Sequence, residues 1–202
     1  MFVLFIIPSL GRTSLWRALH SLKEQTDQDW EAAVMFDGTP PPNFTIKKIH
    51  FFQCEKQKGA GRVRNKMLDL LDSELIDYSW IAFLDDDDYL GSEYVKRLKV
   101  YSQGNDAVLF TMKRHNRIIP RPGTTNIRPM NCGITYAIKV GFLLKHRLRF
   151  ISREMEDVNF LQQCERKGGK VMITNDLQYF CGEGGRNRWQ KKTPYRKHIL
   201  MK

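Results

Sequence analysis

The chain has 202 residues, with 33 Lys and Arg against 22 Asp and Glu, a formal net charge of +11. That length suits one good-sized domain or two tightly joined lobes, and no apolar run approaches the roughly 18 residues of a membrane helix. The basic balance attracts polyanions, whether nucleic acid, an anionic membrane surface or a phosphorylated substrate, and is densest in the tail from Arg186 to Lys202.

Phe2 to Ile7 reads as a first strand stopped by Pro8; the segment lacks a basic leader region and is not a signal peptide. Thr13 or Ser14 caps a helix with Leu15, Leu19 and Leu22 on one face. Trp30 to Phe36 is a second strand ending in Asp37-Gly38, and Ile46 to Gln53 a third. Gly59-Ala60-Gly61 leads into a helix carrying Val63, Met67, Leu70 and Leu71, and Trp80 to Leu84 is a fourth strand. This order predicts an α/β fold with a mostly parallel central sheet flanked by helices.

The second half is less regular. A helix from Ser92 to Tyr101 and a strand from Ala107 to Met112 precede an aperiodic loop, Ile118 to Met130. A strand from Gly133 to Ile138 and a short helix from Val140 to His146 follow. Ser152 caps a helix from about Arg153 to Lys167, closed by Gly168-Gly169, and Lys170 to Thr174 and Gln178 to Cys181 are short strands. The expected organisation is a single domain over 1–202, with a nucleotide-sugar half (1–90) and an acceptor half (91–202). Cys54, Cys132, Cys164 and Cys181 lack paired spacing, which points to free thiols in a reducing, cytoplasmic compartment.

The most informative stretch is Trp80 to Leu90, where a buried-type strand runs into Asp85-Asp86-Asp87-Asp88. A parallel strand delivers the residues after it to the carboxyl edge of the sheet, where open α/β folds bind ligands. Carboxylates crowded there repel, and a hard cation such as Mn²⁺ or Mg²⁺, which takes oxygen ligands together with phosphates, removes that cost. Helix-dipole stabilisation or capping accounts for only one or two of the four. Gly59-Ala60-Gly61-Arg62-Val63-Arg64 is no dinucleotide fingerprint, since Arg64 stands at the third glycine; an arginine there suits a phosphate or a base.

These motifs, in this order, resemble the family 2 glycosyltransferases of GT-A fold. Ile6-Ile7-Pro8-Ser9 is similar to the family's opening strand, and Ser21 to Trp30 to its first-helix ending. Phe36-Asp37-Gly38 resembles the second-strand acidic motif, Arg64-Asn65 the Ala-Arg-Asn helix start with Val63 for alanine, Phe83 to Asp88 the Asp-x-Asp-Asp signature, and Glu156-Asp157 with Phe160 the late Glu-Asp motif. The short chain and basic tail further resemble small glycosyltransferases of large algal viruses.

The resemblance implies a metal-dependent, inverting transfer from a UDP-sugar to a hydroxyl on a glycan or glycoprotein. Pro8 and Ser9 would line the uracil and Asp37 bind it; Arg64 would flank the base or diphosphate. Asp85 would face the ribose or an outer-shell water, Asp86 the donor, and Asp87 would bind Mn²⁺ or Mg²⁺. Asp157 would be the general base, with Glu156 orienting the acceptor or pairing with an arginine. The family's late histidine and arginine have no match in Phe180 to Arg186, which leaves Glu183, His198 or water as a further metal ligand.

Plainer readings stand beside these. Asp37-Gly38 is a common turn pair, Arg64 a solvated helix residue, and Asp157 a carboxylate near a helix start. A sugar-phosphate nucleotidyltransferase is the rival enzyme, although Ser9-Leu10-Gly11-Arg12 makes a meagre triphosphate loop. A nucleic-acid-binding module lacks its aromatic–basic stripe, and the basic surface implies at most weak membrane docking.

Overall fold

The computed structural model describes residues 2–57, 59–72, 75–129, 131–151 and 155–182. Strand β1 (Val3–Ser9) lies buried along its whole length between β2 (Trp30–Asp37) and β4 (Trp80–Phe83), parallel to both, and β3 (Ile49–Cys54) extends the parallel sheet beyond β2. These unbroken apolar runs suit strands covered on both faces. Helix α1 (Leu15–Lys23) buries Leu15, Ala18, Leu19 and Leu22. Helix α2 (Ala60–Leu70) buries Val63, Met67 and Leu68, whereas Leu70, expected inside, is the last helical residue and 51% exposed.

The remaining elements are β5 (Tyr89–Leu90), α3 (Tyr94–Tyr101), β6 (Ala107–Arg114), β7 (Arg117–Ile119), β8 (Tyr136–Lys139), α4 (Val140–His146), α5 (Glu156–Arg166) and β9 (Val171–Phe180). One sheet runs β3-β2-β1-β4-β8-β6-β9-β5, with β7 paired to β6. It is mixed: β8 is antiparallel to both β4 and β6, while β9 returns parallel to β6. The parallel character expected from the strand–helix alternation therefore holds for β1 to β4.

Several boundaries differ from expectation. The third strand starts at Ile49, and Ile46 only bridges back to it. Lys170–Thr174 and Gln178–Cys181 merge into one strand, β9, whose pairing to β6 shifts register twice. The aperiodic loop begins as strand β7, because Met112 to Arg114 turn back on Arg117 to Ile119. Helix α5 is described from Glu156; the expected cap Ser152 and start Arg153 lie outside the described residues.

Because β2 and β3 lie on one side of β1 and β4 on the other, the chain reverses its direction of sheet growth between β1 and β4. Such a switch point opens a crevice at the carboxyl ends of the strands. Ser9, Asp37 and Asp85 all sit at that edge. No described helix is long and apolar enough to cross a membrane. The four cysteines are unpaired.

Candidate functional site

The crevice holds a cleft of about 420 Å³. Its lining includes Pro8 and Ser9 at the end of β1, Arg12 after it, Asp37 at the end of β2, Asp85 to Asp88 after β4, and Asp157 on α5. It thus gathers most of the expected residues from separate parts of the chain.

The aspartate run folds as a turn, with the Asp88 N–H donating to the Asp85 carbonyl at 3.1 Å. That turn sorts the four side chains. Asp85, Asp87 and Asp88 each place an oxygen within 4.8 Å of the others, a donor set suited to a hard cation. Asp86 points the other way. Its Oδ2 accepts from Ser9 Oγ at 2.9 Å and from the Leu10 N–H at 3.1 Å, and Oδ1 faces Arg12 at 3.3 Å. Expected as a donor contact, Asp86 instead fastens the β1 loop to the aspartate turn. Ser9, 2% exposed, is likewise engaged, since its hydroxyl also accepts from the Gly11 N–H at 3.0 Å.

Burial and mutual repulsion set the protonation of this group. Burial pushes the Asp88 carboxyl up to about 7, with the neighbouring Asp85 and Asp87 adding to it. Burial also raises Asp87, again with help from Asp85, against the opposing pull of Arg12 at 3.0 Å. Asp86 rises to about 6 through burial, although Arg12 and the Ser9 hydrogen bond hold it down. A divalent cation among Asp85, Asp87 and Asp88 would offset these costs.

Two further residues belong here. Asp88, part of the run read as a metal site, accepts from the Gly182 N–H at 2.9 Å and joins the cluster; helix α3 is preceded by Glu93, which makes no side-chain cap. Arg12 contacts both Asp86 and Asp87, and its sequence signal was its place directly after Ser9-Leu10-Gly11. Glu183 and His198, considered as further ligands, lie outside the described residues.

Asp37 is 3% exposed, and the reason is local: its Oδ1 accepts from the Gln57 N–H at 2.6 Å, drawing the β2 end against the segment after β3. Its Oδ2 has no hydrogen-bond partner. A buried acceptor left unmatched is costly, so a donor arriving in the cleft would gain from it.

Arg64 departs most from expectation. Placed beside a base or diphosphate by the sequence reading, it is 1% exposed and, among the described residues, is not part of the cleft lining. Its guanidinium bonds Asp85 and Glu156, the latter at 2.8 Å, lies 3.7 Å from Asp157, and rests over the Phe150 ring at 5.2 Å. Arg64 therefore ties the aspartate turn to the start of α5. Glu156, expected either to orient an acceptor or to pair with an arginine, does the second: it is taken up by that tie and lies outside the described lining.

Asp157 does face the cleft, and its Oδ1 has no hydrogen-bond partner. Phe83, Phe150, Phe160 and Tyr136 stack close behind the start of α5, with centroids 4.5 Å apart for Phe150 and Phe160. In this apolar setting burial raises the Asp157 carboxyl to about 7; Arg64 opposes the rise, and Asp85 and Glu156 add to it.

Comparison with known proteins fits this geometry. The model for Glycosyl transferase family 2 matches residues 5–173. Structures of S. aureus TarS 1-349 align over 90% of this chain and 60% of theirs, with a TM-score of 0.72 and 20% identity. The same protein in complex with UDP-GlcNAc aligns over 93% of this chain and 60% of that one, with a TM-score of 0.73 and 18% identity. A197 from STIV aligns over 90% of this chain and 82% of its own, with a TM-score of 0.50 and 20% identity. No curated protein matches significantly. At these identities the likeness shows the fold, which is the GT-A architecture expected from the motifs; the chain spans 60% of the length of those TarS chains.

Proposed function

Because the chain belongs to glycosyl transferase family 2, we propose that it moves a sugar from a UDP-sugar to an acceptor hydroxyl on a glycan or glycoprotein, with inversion and with help from a divalent cation. The observation that carries this reading is that one cleft holds both the three-carboxylate cluster and, 69 or more positions later in sequence, the Asp157 carboxyl, whose Oδ1 has no hydrogen-bond partner among the described residues and lies 3.7 Å from the Arg64 guanidinium. The TarS neighbour's complex with UDP-GlcNAc supports a UDP-sugar as donor.

In this reading Pro8 and Ser9 flank the uracil, and Asp37 accepts its N3–H through the unmatched Oδ2. Asp85, Asp87 and Asp88 hold Mn²⁺ or Mg²⁺. When bound, the cation supplies Lewis-acid stabilisation of charge on the departing diphosphate. Asp157 takes the proton from the acceptor hydroxyl as that oxygen attacks the anomeric carbon from the face opposite UDP; a carboxyl tuned near 7 is matched to proton transfer at neutral pH. Arg64, Asp86 and Arg12 position these groups.

The test is calorimetric titration of UDP into the protein with Mn²⁺ and with EDTA, alongside Asp87→Ala. Metal-dependent affinity that Asp87→Ala removes, with release of UDP from a UDP-sugar, is the expected result. Equal affinity in both conditions would overturn the metal role, and pyrophosphate release from a nucleoside triphosphate plus a sugar phosphate would replace the transferase reading.

A further inference from the structure

The far wall of the cleft is formed by the β6–β7 hairpin and the segment after it, through Met112, Arg114, His115, Cys132 and Gly133. This part of the chain has an unusual charge pattern. From Ala107 to Arg153 the sequence contains no Asp or Glu, yet Lys113, Arg114, Arg117, Arg121 and Arg128 fall within it. All five are exposed. Among the described residues no carboxylate forms an ion pair with Lys113, Arg117, Arg121 or Arg128.

Two features argue against an ordinary solvated face. Arg114 and Arg117 are direct cross-strand partners in the hairpin. Like charges placed opposite one another are unfavourable in a β pair, and neither strand itself carries an acidic residue. The segment after β7 is also not a free loop. Ile127 is buried in the core, its carbonyl accepts from Gln162 Nε2 of α5 at 3.3 Å, and Cys132 is close enough to Asp157 for that carboxylate to help burial raise its thiol. The segment carrying Arg128 is thus docked on α5 and continues to Cys132 beside the carboxylate assigned as base.

We propose that the acceptor is an anionic glycan, bearing carboxylate or phosphate groups along its length, that lies on Arg117, Arg121 and Arg128 with its reacting hydroxyl at Asp157. This rests on the transferase reading above and adds the chemical class of the acceptor. A neutral acceptor gains nothing from these three cations, whereas an anionic chain gains a charge contact at each, which offsets its repulsion from the acidic floor of the cleft. The requirement for charge on the glycan beyond the reacting residue comes from the placement of Arg121 and Arg128 outside the cleft lining.

The experiment titrates the full chain, saturated with UDP and Mn²⁺, with a hexameric oligogalacturonate and with neutral maltohexaose, at low and at physiological salt. Wild type should bind the anionic hexamer with an affinity that falls as salt rises, and maltohexaose at least tenfold more weakly. Arg117→Ala with Arg121→Ala should weaken the anionic hexamer roughly tenfold, two exposed charge contacts being removed, while UDP affinity stays unchanged. Equal binding of the two sugars, or an unaltered double variant, would overturn the proposal while intact UDP binding leaves the transferase reading standing; loss of UDP binding in wild type would sink that reading instead. Tighter binding of a single-stranded RNA hexamer or of anionic phospholipid vesicles than of the oligogalacturonate would reassign the row to that partner and also overturn it.

Discussion

Arg64 on α2 donates to Glu156 on α5 at 2.8 Å across 92 positions of sequence. The same guanidinium reaches Asp85, so a single buried cation joins the metal-cluster turn to the helix that carries Asp157. Removing one partner from such a group leaves carboxylates without compensation, at about 3–5 kcal/mol for fully buried pairs. Asp85 and Asp157 retain about a third of their side-chain exposure, which favours the lower end of that range. Arg64→Met should therefore cost about 3 kcal/mol, or roughly 6–12 °C in Tm for a chain of this size. Arg64→Lys should recover little, because one ammonium cannot span two carboxylates as a planar fork does. Thermal unfolding of both variants decides the matter; a change within about 2 °C would mean that solvent already screens the cluster.

Gly61, one turn before Arg64 on α2, permits this arrangement. A Cβ there would run into the Glu156 carboxylate and approach the Phe150 Cβ to 3.0 Å. In an open helical position Gly→Ala stabilises by roughly 0.5–1 kcal/mol. Here Glu156 cannot simply swing aside, since Arg64 holds it. Gly61→Ala should reverse the usual sign and destabilise by about 1–3 kcal/mol, the ordinary cost of overpacking. Turnover should fall further than stability alone explains, as α5 is pushed from the aspartate turn. Urea unfolding beside a UDP-release assay separates the two effects, and a stabilised Gly61→Ala variant would contradict the packing described.

These two residues also mark the limit of what could be read from the chain. The buried runs of β1, β2 and β4 were legible because strands covered on both faces tolerate little but apolar residues, and the site edge followed from their direction. Helical spacing places Arg64 on a face of α2, but not what meets that face; its partners come from the turn after β4 and from α5. The run Asp85 to Asp88 was legible as a metal site, but not which of its members converge, because only the turn closed by the Asp88 N–H brings it back beside Asp85. Strands β5 and β7 are two and three residues long, too short to show a period. The polar Asn175-Asp176 inside β9 reads as a break, whereas the register shifts against β6 absorb it.

Selectivity for uracil can be tested at Asp37. Its Oδ2 lacks a partner, and uracil N3 carries a hydrogen where cytosine N3 has a lone pair. A hydrogen bond to a charged acceptor contributes about 1.5–3 kcal/mol, so UDP should bind roughly 10- to 100-fold more tightly than CDP. Asp37→Asn keeps an Oδ1 acceptor for the Gln57 N–H while turning an amide donor towards the base, and should narrow or reverse the preference. Calorimetry with UDP and CDP on both proteins provides the check. Equal affinity of wild type for the two nucleotides would remove Asp37 from base recognition.

The pH dependence of Asp157 joins stability to catalysis. Burial raises its folded-state carboxyl to about 7 from an ordinary value of 3.8. The folded protein therefore binds this proton more tightly than the unfolded chain does. Between those two values the native state holds more protons, so stability falls as pH rises. The contribution is fully present below about pH 4 and is lost as pH passes through about 7. Asn cannot titrate, so Asp157→Asn should lose this component of the slope and be more stable than wild type at pH 8, with the gap closing towards pH 5. Activity should run the opposite way. A base must be unprotonated, so wild-type kcat/KM should climb through about pH 7. Asp157→Asn should lose that limb along with about 10²–10⁴ in rate, while UDP affinity stays near wild type. Paired unfolding curves and pH–rate profiles read both effects on one pair of proteins. A variant that is less stable at pH 8 and yet keeps a rising limb through pH 7 would show that another group carries the proton.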